Sequence, residues 1–335
     1  MEDPQYTSPL RINRRTFSAC ALASASSLAA SVWAQAAYPA RPIKLLVGFP
    51  PGGAPDAIAR IVAQRFATQL GQAVVVENRT GAAGLIAAEA VVKSPPDGYT
   101  LLMGESSLLV SKHLQPKMGF DPLTAFTPVA GAFYAPLVIV VNNSFEARTP
   151  KEFIAQLKAN PGKYSYASVG IGSVHHLGFE MLKQQTNSFV VHIPYRGSAQ
   201  IIPDIMGGQV PMGVVSVSAA IAQANAGKIR PIALLSPSSV PGTQGMPLLS
   251  DAVPGFNVAP RFYLLSPAGT PADIVSKLSD AMKLALESPE VLQRAGAQGA
   301  TSGFSSDTQI GNELRAESTR WASVIREQKI NLDAT

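Results

Sequence analysis

Short apolar runs alternate with amphipathic segments along this chain from residue 43 onward. Residues 43–49 form an apolar run interrupted only by Lys44, and residues 56–70 then carry apolar side chains at helical spacing. Two prolines and two glycines separate them, which predicts a strand, a glycine turn and a helix. The same order recurs, with strands at 73–76 and 100–103 and a helix at 84–92. This alternation predicts an α/β fold in which mostly parallel sheets are flanked by helices.

A second set of strands and helices begins with the β-branched segment 137–141. Thr149 and Pro150 are predicted as the N-cap and first residue of a helix, with Glu152 in its first turn. Further predicted elements are strands at 164–167, 190–193, 210–215 and 232–235 and helices at 176–184, 201–206 and 219–226. After them, a Pro-, Gly- and Ser-rich segment at 236–260 is predicted to lead back to the first set, which ends in a strand at 262–266 and helices at 271–286 and 306–328.

The returning segment implies that one lobe of the molecule is discontinuous in sequence. We expect residues 37–139 and 258–335 to form the first lobe and residues 140–257 to form the second. Two chain crossings between the lobes would act as a hinge. Ligands of open α/β sheets bind beyond the carboxyl ends of the strands, so the loops at these ends are the candidate sites.

Residues 1–36 have the pattern of an export signal and are not expected to belong to the fold. Arg11, Arg14 and Arg15 precede an apolar Ala/Ser/Leu segment, and small residues then allow cleavage after Ala34 or Ala36. The adjacent arginines resemble a twin-arginine signal, and an ordinary secretory signal is the alternative. The sequence therefore predicts export to the periplasm.

Composition excludes several classes of function. The chain has 335 residues, of which 46% are apolar and 15% charged, enough apolar material for two lobes with their own cores. Its net charge of +5 is scattered without a basic run, so no nucleic-acid partner is expected. The single cysteine, Cys20, lies in the predicted signal, which excludes thiol chemistry in the mature protein. The pair His175-His176 is the only histidine pair and is expected to serve packing or capping, so no metal is expected.

Two glycine-containing loops, each between a predicted strand and a predicted helix, are the candidate anion sites. They cover residues 50–56 and 168–173. Glycine lets the backbone approach an anion closely, and the partial positive charge at a helix start favours a carboxylate or a phosphate. Neither loop matches a nucleotide-binding or nucleophile-elbow motif. An ordinary turn with water on its amides is the alternative for each loop.

Several short motifs follow one another along the mature chain: YPARPI at 38–43, PPGG at 50–53, ENR at 77–79, PDGYT at 96–100, IPYRG at 193–197, GGQV at 207–210 and PAGTP at 267–271. Their order and spacing resemble the substrate-binding receptors of tripartite tricarboxylate transporters, the Bug family, and the likeness extends over nearly the whole mature chain. The resemblance implies a periplasmic two-lobe binding-protein fold of type II. It also implies a monomeric receptor that binds a small carboxylate, has no catalytic residues or cofactor, and delivers its ligand to membrane transporter subunits.

The resemblance also implies which residues hold the carboxylate. By position these are Gly52, Gly53 and Asp56 in the first loop and Ser168, Gly172 and Ser173 in the second. Their N–H and hydroxyl groups would bind the carboxylate oxygens directly or through water.

Four positions bear on how well the family's ligand site can be assigned to this chain. Pro211 and Val215 stand where the family usually has acids, which alters that edge of the second lobe. Glu105 follows a predicted strand where small or hydroxylated residues are commoner, and it is either a ligand contact or a solvated turn residue. Arg196 is either a carboxylate partner or a structural residue.

Three functions remain open from the sequence. A transport receptor leads, a sensory or orphan receptor for a signalling partner is the alternative, and a periplasmic enzyme lacks a recognisable nucleophile and base. Asp56 and Glu105 could both approach the cleft and repel a second anionic group. We therefore expect a monocarboxylate, or a ligand that also bears an amine or amide, in preference to citrate.

Overall fold

A computed structural model describes residues 38–52, 54–115, 117–195 and 197–332 of the chain. The chain divides into two units at Ala40 and Arg41, and all the helices and strands given below lie in the second unit. The predicted export signal at residues 1–36 lies outside the described residues.

The first lobe is built on a six-stranded sheet in the order β11-β4-β10-β3-β1-β2. Its strands are β1 (Ile43–Val47), β2 (Val74–Asn78), β3 (Thr100–Glu105), β4 (Phe126–Tyr134), β10 (Arg261–Pro267) and β11 (Thr301–Ser305). Its helices are α1 (Ala54–Leu70), α2 (Leu85–Val92), α3 (Ser107–Leu114), α8 (Ala272–Leu286), α9 (Pro289–Ala297) and α10 (Asp307–Glu327), with a 3₁₀ turn at Ala82–Gly84.

The second lobe is built on a five-stranded sheet in the order β7-β6-β8-β5-β9. Its strands are β5 (Leu137–Val141), β6 (Ser165–Ser168), β7 (Val191–Pro194), β8 (Met212–Ser216) and β9 (Arg230–Leu234). Its helices are α4 (Pro150–Ala159), α5 (Val174–Thr186), α6 (Ser198–Met206) and α7 (Val217–Asn225), and a 3₁₀ turn at Leu249–Asp251 follows the last strand. The predicted α/β fold with two lobes is confirmed.

Both sheets are mixed, which corrects the expectation of mostly parallel sheets. β1 runs parallel to β2 and β3, whereas β10 runs antiparallel to β3 and β4. In the second sheet β5 runs antiparallel to both of its neighbours. The cause is the way the chain crosses. β4 and β8 end at the edge that faces the other lobe, whereas β5 and β10 arrive from that lobe and start at this edge. β11 also runs antiparallel to β4, although it follows a helix.

The chain crosses between the sheets twice. Ala135 and Pro136 link β4 to β5, and residues 235–260 lead from β9 back to β10. The boundary expected between residues 139 and 140 falls inside β5, whose five residues are all buried. The one expected between residues 257 and 258 lies in the returning segment.

Buried apolar side chains join the two lobes on the side where α5 lies against α10. Tyr166 and Phe179 of the second lobe belong to the same buried cluster as Trp321 of α10. At the surface, Gln184 of α5 donates a hydrogen bond to Glu327 of α10. These contacts fix one helix of each lobe against the other.

Most elements lie within a few residues of their predicted bounds, and the Thr149 cap is confirmed because its side chain accepts the N–H of Glu152 at 3.2 Å. Four elements had no sequence prediction: α3, β4, α9 and β11. β4 contains Pro128 and Gly131, which weaken a strand pattern, and α3 is short and almost continuously apolar on one side.

Candidate ligand-binding cleft

A cavity of about 470 Å³ opens between the two sheets at the ends of their strands. The first lobe and the crossings contribute Phe49, Pro55, Ala83, Glu105, Ser107, Val110, Ser111, Leu114, Gln115, Ala135, Leu137, Pro260, Phe262 and Leu332. The second lobe contributes Val169, Ile171, Gly172, Ser173, Val174, His175, Ser198 and Ser216. The volume is in the range of small-molecule sites.

Helix N-termini from both lobes meet at this cavity. Its lining includes residues at the starts of α1 (Pro55), α3 (Ser107), α5 (Ser173), α6 (Ser198) and α7 (Ser216). Each helix start carries unpaired N–H groups and about half a positive charge. Because residues at several helix starts line one cavity, the site favours an anion without needing a charged side chain.

The loop after β6 reaches the cavity through its second half. Gly172 and Ser173 line the cavity, and Ser173 caps α5 by accepting the N–H of His176 at 3.2 Å. The Ser173 hydroxyl also donates to the carbonyl of Gly170 at 2.7 Å, which closes the loop on itself. Gly172 has a φ of +76°. A Cβ there would lie 2.7 Å from Cδ1 of Leu114, so the lobes approach each other closely at this residue.

Ser168 stabilises this loop from its buried side. It is fully buried, its hydroxyl lies 2.7 Å from Nε2 of His192, and it also accepts the N–H of Gly170 at 3.3 Å. Ser168 is not among the residues that line the cavity. The structure therefore brings it to the base of the loop and not to the surface that a ligand would touch.

Two stacked histidines lie beneath the same loop. The rings of His176 and His192 are 3.9 Å apart, and Nδ1 of His176 accepts the N–H of Gly172 at 3.1 Å. Burial lowers the pKa of His176 to about 2, with a further contribution from His192 and Lys183. It lowers the pKa of His192 to about 4. Both rings are therefore neutral near pH 7, as the hydrogen bond to Nδ1 requires.

The first predicted loop is held together by Asp56. The buried Asp56 carboxylate accepts the N–H of Gly52 at 2.9 Å, Nε of Arg60 at 3.0 Å and Nδ2 of Asn78 at 2.8 Å. Burial alone would raise the pKa of Asp56, but these hydrogen bonds outweigh it and hold the pKa below its ordinary value. Neither Gly52 nor Asp56 lines the cavity, whereas their neighbour Pro55 does.

Glu105 faces the cavity from the end of β3. Its Oε2 accepts the N–H of Ser107, at the start of α3, at 3.1 Å. Burial raises the pKa of Glu105 to about 7, although the hydrogen bonds from Ser107 act in the opposite direction. Glu105 is partly exposed at the cavity wall.

Some sequence-selected residues are not brought to the cavity or are not described. Gly53 and Arg196 lie outside the described residues. Val215 is buried in the core of the second lobe, while its neighbour Ser216 lines the cavity. No group of three or more His, Cys, Asp or Glu side chains that could hold a metal occurs within the described residues.

Sequence reasoning missed the hinge and α3 as parts of the site. Ala135, Leu137, Pro260 and Phe262 lie at the crossings, and Ser107 and Ser111 belong to α3. The signal that could have found the first group is the crossing itself, because a cleft between two lobes must be walled at the hinge. Ser107 could have been found as the first helical residue after a strand end.

Comparisons with known proteins find a family match and several similar proteins. Residues 58–332 match the model of the tripartite tricarboxylate transporter family receptor. Protein BugT of Bordetella pertussis is 36% identical over 293 residues, which are 87% of this chain and 90% of that protein.

Solved structures are similar over most of the chain. A protein described as a periplasmic transporter is 38% identical, with a TM-score of 0.74 over 89% of this chain and 100% of that one. Rpa4515 of R. palustris with adipate is 32% identical, with a TM-score of 0.74 over 88% and 99%. MatC from Rhodopseudomonas palustris with bound malate is 28% identical, with a TM-score of 0.71 over 86% and 100%.

Proposed function

Because this chain belongs to the tripartite tricarboxylate transporter receptor family, we propose that it is a periplasmic receptor that binds a small carboxylate and delivers it to membrane transporter subunits. On this proposal it performs no catalysis, and the residues 1–36 direct its export. It works as a monomer whose two lobes close on the ligand.

The convergence of helix N-termini on one cavity is the observation that carries this proposal. The starts of α5, α6 and α7 lie at the cavity, and a serine of each start, Ser173, Ser198 and Ser216, lines its wall. A carboxylate has two oxygens that accept such hydrogen bonds, and charge-assisted bonds of this kind are about twice as strong as neutral ones. The binding of adipate by Rpa4515 and of malate by MatC supports a carboxylate as the ligand class.

Ligand binding would be read out as closure. A ligand that touches both lobes stabilises the arrangement in which they are close, by the difference in its affinity for the two states. Gly172 of the second lobe and Leu114 of the first already approach closely across the cleft. We propose that the transporter subunits recognise this closed arrangement.

Calorimetry with purified mature protein tests the proposal. Adipate, malate, citrate, hexanoate and benzoate are titrated, and at least one is expected to bind and to raise the unfolding temperature, since about 100 Kd of ligand adds about 2.7 kcal/mol of stability. Gly172→Val should lower the affinity for that acid at least tenfold, because its Cβ would enter the space held by Leu114.

Gly255→Val is the matched control. Gly255 has a similar φ of +79°, and a Cβ there would meet nothing within 4 Å, so the backbone strain of roughly 1–2 kcal/mol is shared without any change in the cleft. Affinity unchanged in Gly172→Val would contradict the role of this loop. Failure of the folded wild type to bind any of the acids would contradict the proposed function.

A further inference from the structure

We propose that Glu105 restricts this cleft to monocarboxylates with an apolar body, because its side chain already occupies the helix start that a second ligand carboxylate would need. This inference rests on the proposed function and specifies its ligand class. It concerns a residue that faces the cavity from the first lobe, opposite the loop that holds Gly172 and Ser173.

The Glu105 carboxyl group already occupies the start of α3. Oε2 of Glu105 accepts the N–H of Ser107, so the first amide of this helix is already hydrogen-bonded. The backbone of Glu105 is fixed as well, because its carbonyl accepts the hydroxyl of the buried Tyr263 at 2.7 Å. A ligand carboxylate at this helix start would have to displace the Glu105 side chain or lie beside it.

The described lining offers no positive charge that would offset the repulsion. Its ionisable side chains are Glu105 and His175. Burial lowers the pKa of His175 to about 4, so this ring is neutral near pH 7. A second carboxylate would therefore meet an acid and a neutral imidazole, and like charges placed together across a binding surface oppose binding.

In the second lobe, the start of α6 has no side-chain cap that would compete with a ligand carboxylate. Gly197, the N-cap of α6, has no side chain to bond the first amides of that helix. Ser198 and Ser216 add hydroxyl groups at the starts of α6 and α7. We place the single ligand carboxylate on this side of the cavity.

The rest of the wall suits an apolar body. Most lining side chains are aliphatic or aromatic, among them Phe49, Val110, Leu114, Leu137, Ile171 and Phe262. An apolar cavity of about 150 Å³ holds benzene. A cavity of about 470 Å³ therefore has room for an aromatic ring or a six-carbon chain together with its carboxylate.

Two matched pairs of acids test the inference by calorimetry at pH 8, where Glu105 is mainly ionised. Hexanoate differs from adipate, and benzoate from terephthalate, by the absence of the second carboxylate. Wild type is expected to bind the monocarboxylate at least tenfold more tightly in each pair that binds. Glu105→Gln should reduce this ratio at least fivefold, chiefly by improving the binding of the dicarboxylate.

Glu77→Gln is the control, since Glu77 is a partly exposed first-lobe carboxylate paired with Arg79 and does not line the cavity. The ratio of monocarboxylate to dicarboxylate affinity in Glu77→Gln should equal that of wild type. A dicarboxylate that binds wild type as tightly as its monocarboxylate overturns this inference while the receptor function stands, and a ratio unaffected by Glu105→Gln overturns the role of Glu105. If the folded protein binds none of the four acids nor malate or citrate, the proposed function fails together with the inference.

Discussion

At the scale of single residues, the two acids selected from the sequence have different surroundings. Asp56 is 3% exposed, and its carboxylate oxygens accept hydrogen bonds from Gly52, Arg60 and Asn78. Glu105 keeps its side chain at the cavity wall. The spacing of Asp56 and Arg60, four residues apart in a helix, was a signal for the internal pair. Of the two acids, only Glu105 lines the cavity.

Asp56→Asn should destabilise the protein by about 2 kcal/mol, because three hydrogen bonds to a charged acceptor become bonds to a neutral one or are lost. The affinity for the ligand should change much less. Glu89→Gln, which removes an exposed ion pair with Lys93, should cost no more than about 0.5 kcal/mol. Urea unfolding of wild type and the two variants measures both changes in stability. Equal midpoints for Asp56→Asn and wild type would contradict the stabilising role of the Asp56 hydrogen bonds.

The difference in stability between wild type and Asp56→Asn should depend on pH in a definite direction. The pKa of Asp56 is lowered in the folded state, so its contribution is complete above the unfolded pKa of about 3.8 and is lost as the pH falls through the folded value. The stability difference between wild type and Asp56→Asn should therefore shrink below about pH 3.8, provided that both remain folded.

At the scale of elements, serine caps define where several helices begin. Ser173 caps α5 beside the cavity, and Ser306 caps α10 through a reciprocal box with Gln309. Both side chains accept the N–H of the residue three positions later, at 3.2 and 3.3 Å. The two caps are alike in chemistry but differ in place, since Ser173 lines the cavity and Ser306 does not.

Ser173→Ala and Ser306→Ala should each cost about 1 kcal/mol of stability through the lost cap. Only Ser173→Ala should also weaken carboxylate binding, because it removes a hydroxyl from the cavity and loosens the loop that it closes onto Gly170. Thermal unfolding and calorimetry on both variants separate the two effects. A similar loss of affinity in both would show that helix stability alone controls binding.

At the scale of the whole molecule, two chain crossings join lobes that share a buried apolar cluster. The crossing at Ala135 and the start of β10 after Pro260 both line the cavity, so the hinge is also its inner wall. None of the described helices is long and apolar enough to cross a membrane.

The predicted signal at residues 1–36 implies that the protein is exported and cleaved. Periplasmic material should have the intact mass expected for cleavage after Ala34 or Ala36. The double substitution Arg14→Lys and Arg15→Lys should block export if the signal is of the twin-arginine type. It should have little effect if the signal is an ordinary secretory one. Full-length protein confined to the cytoplasm would contradict export by either route.

Local sequence patterns determined the alternation of strands and helices and the Thr149 cap, and the order of short motifs along the chain indicated the family. The first two features depend on residues a few positions apart, where periodicity, glycine and proline act directly. For the same reason β4 was missed, because Pro128 and Gly131 interrupt its pattern while its neighbours in the sheet supply its hydrogen bonds.

Only the tertiary structure decided which side of each loop faces the cavity. Glu105 is fixed at the wall by Tyr263, 158 residues away in sequence, and Ser168 is turned under its loop by His192. The sheets are mixed because the crossings bring β5 and β10 in from the opposite lobe. Such contacts join distant segments, and no local period records them, so the sequence located the loops whereas the fold selected the residues that a ligand can reach.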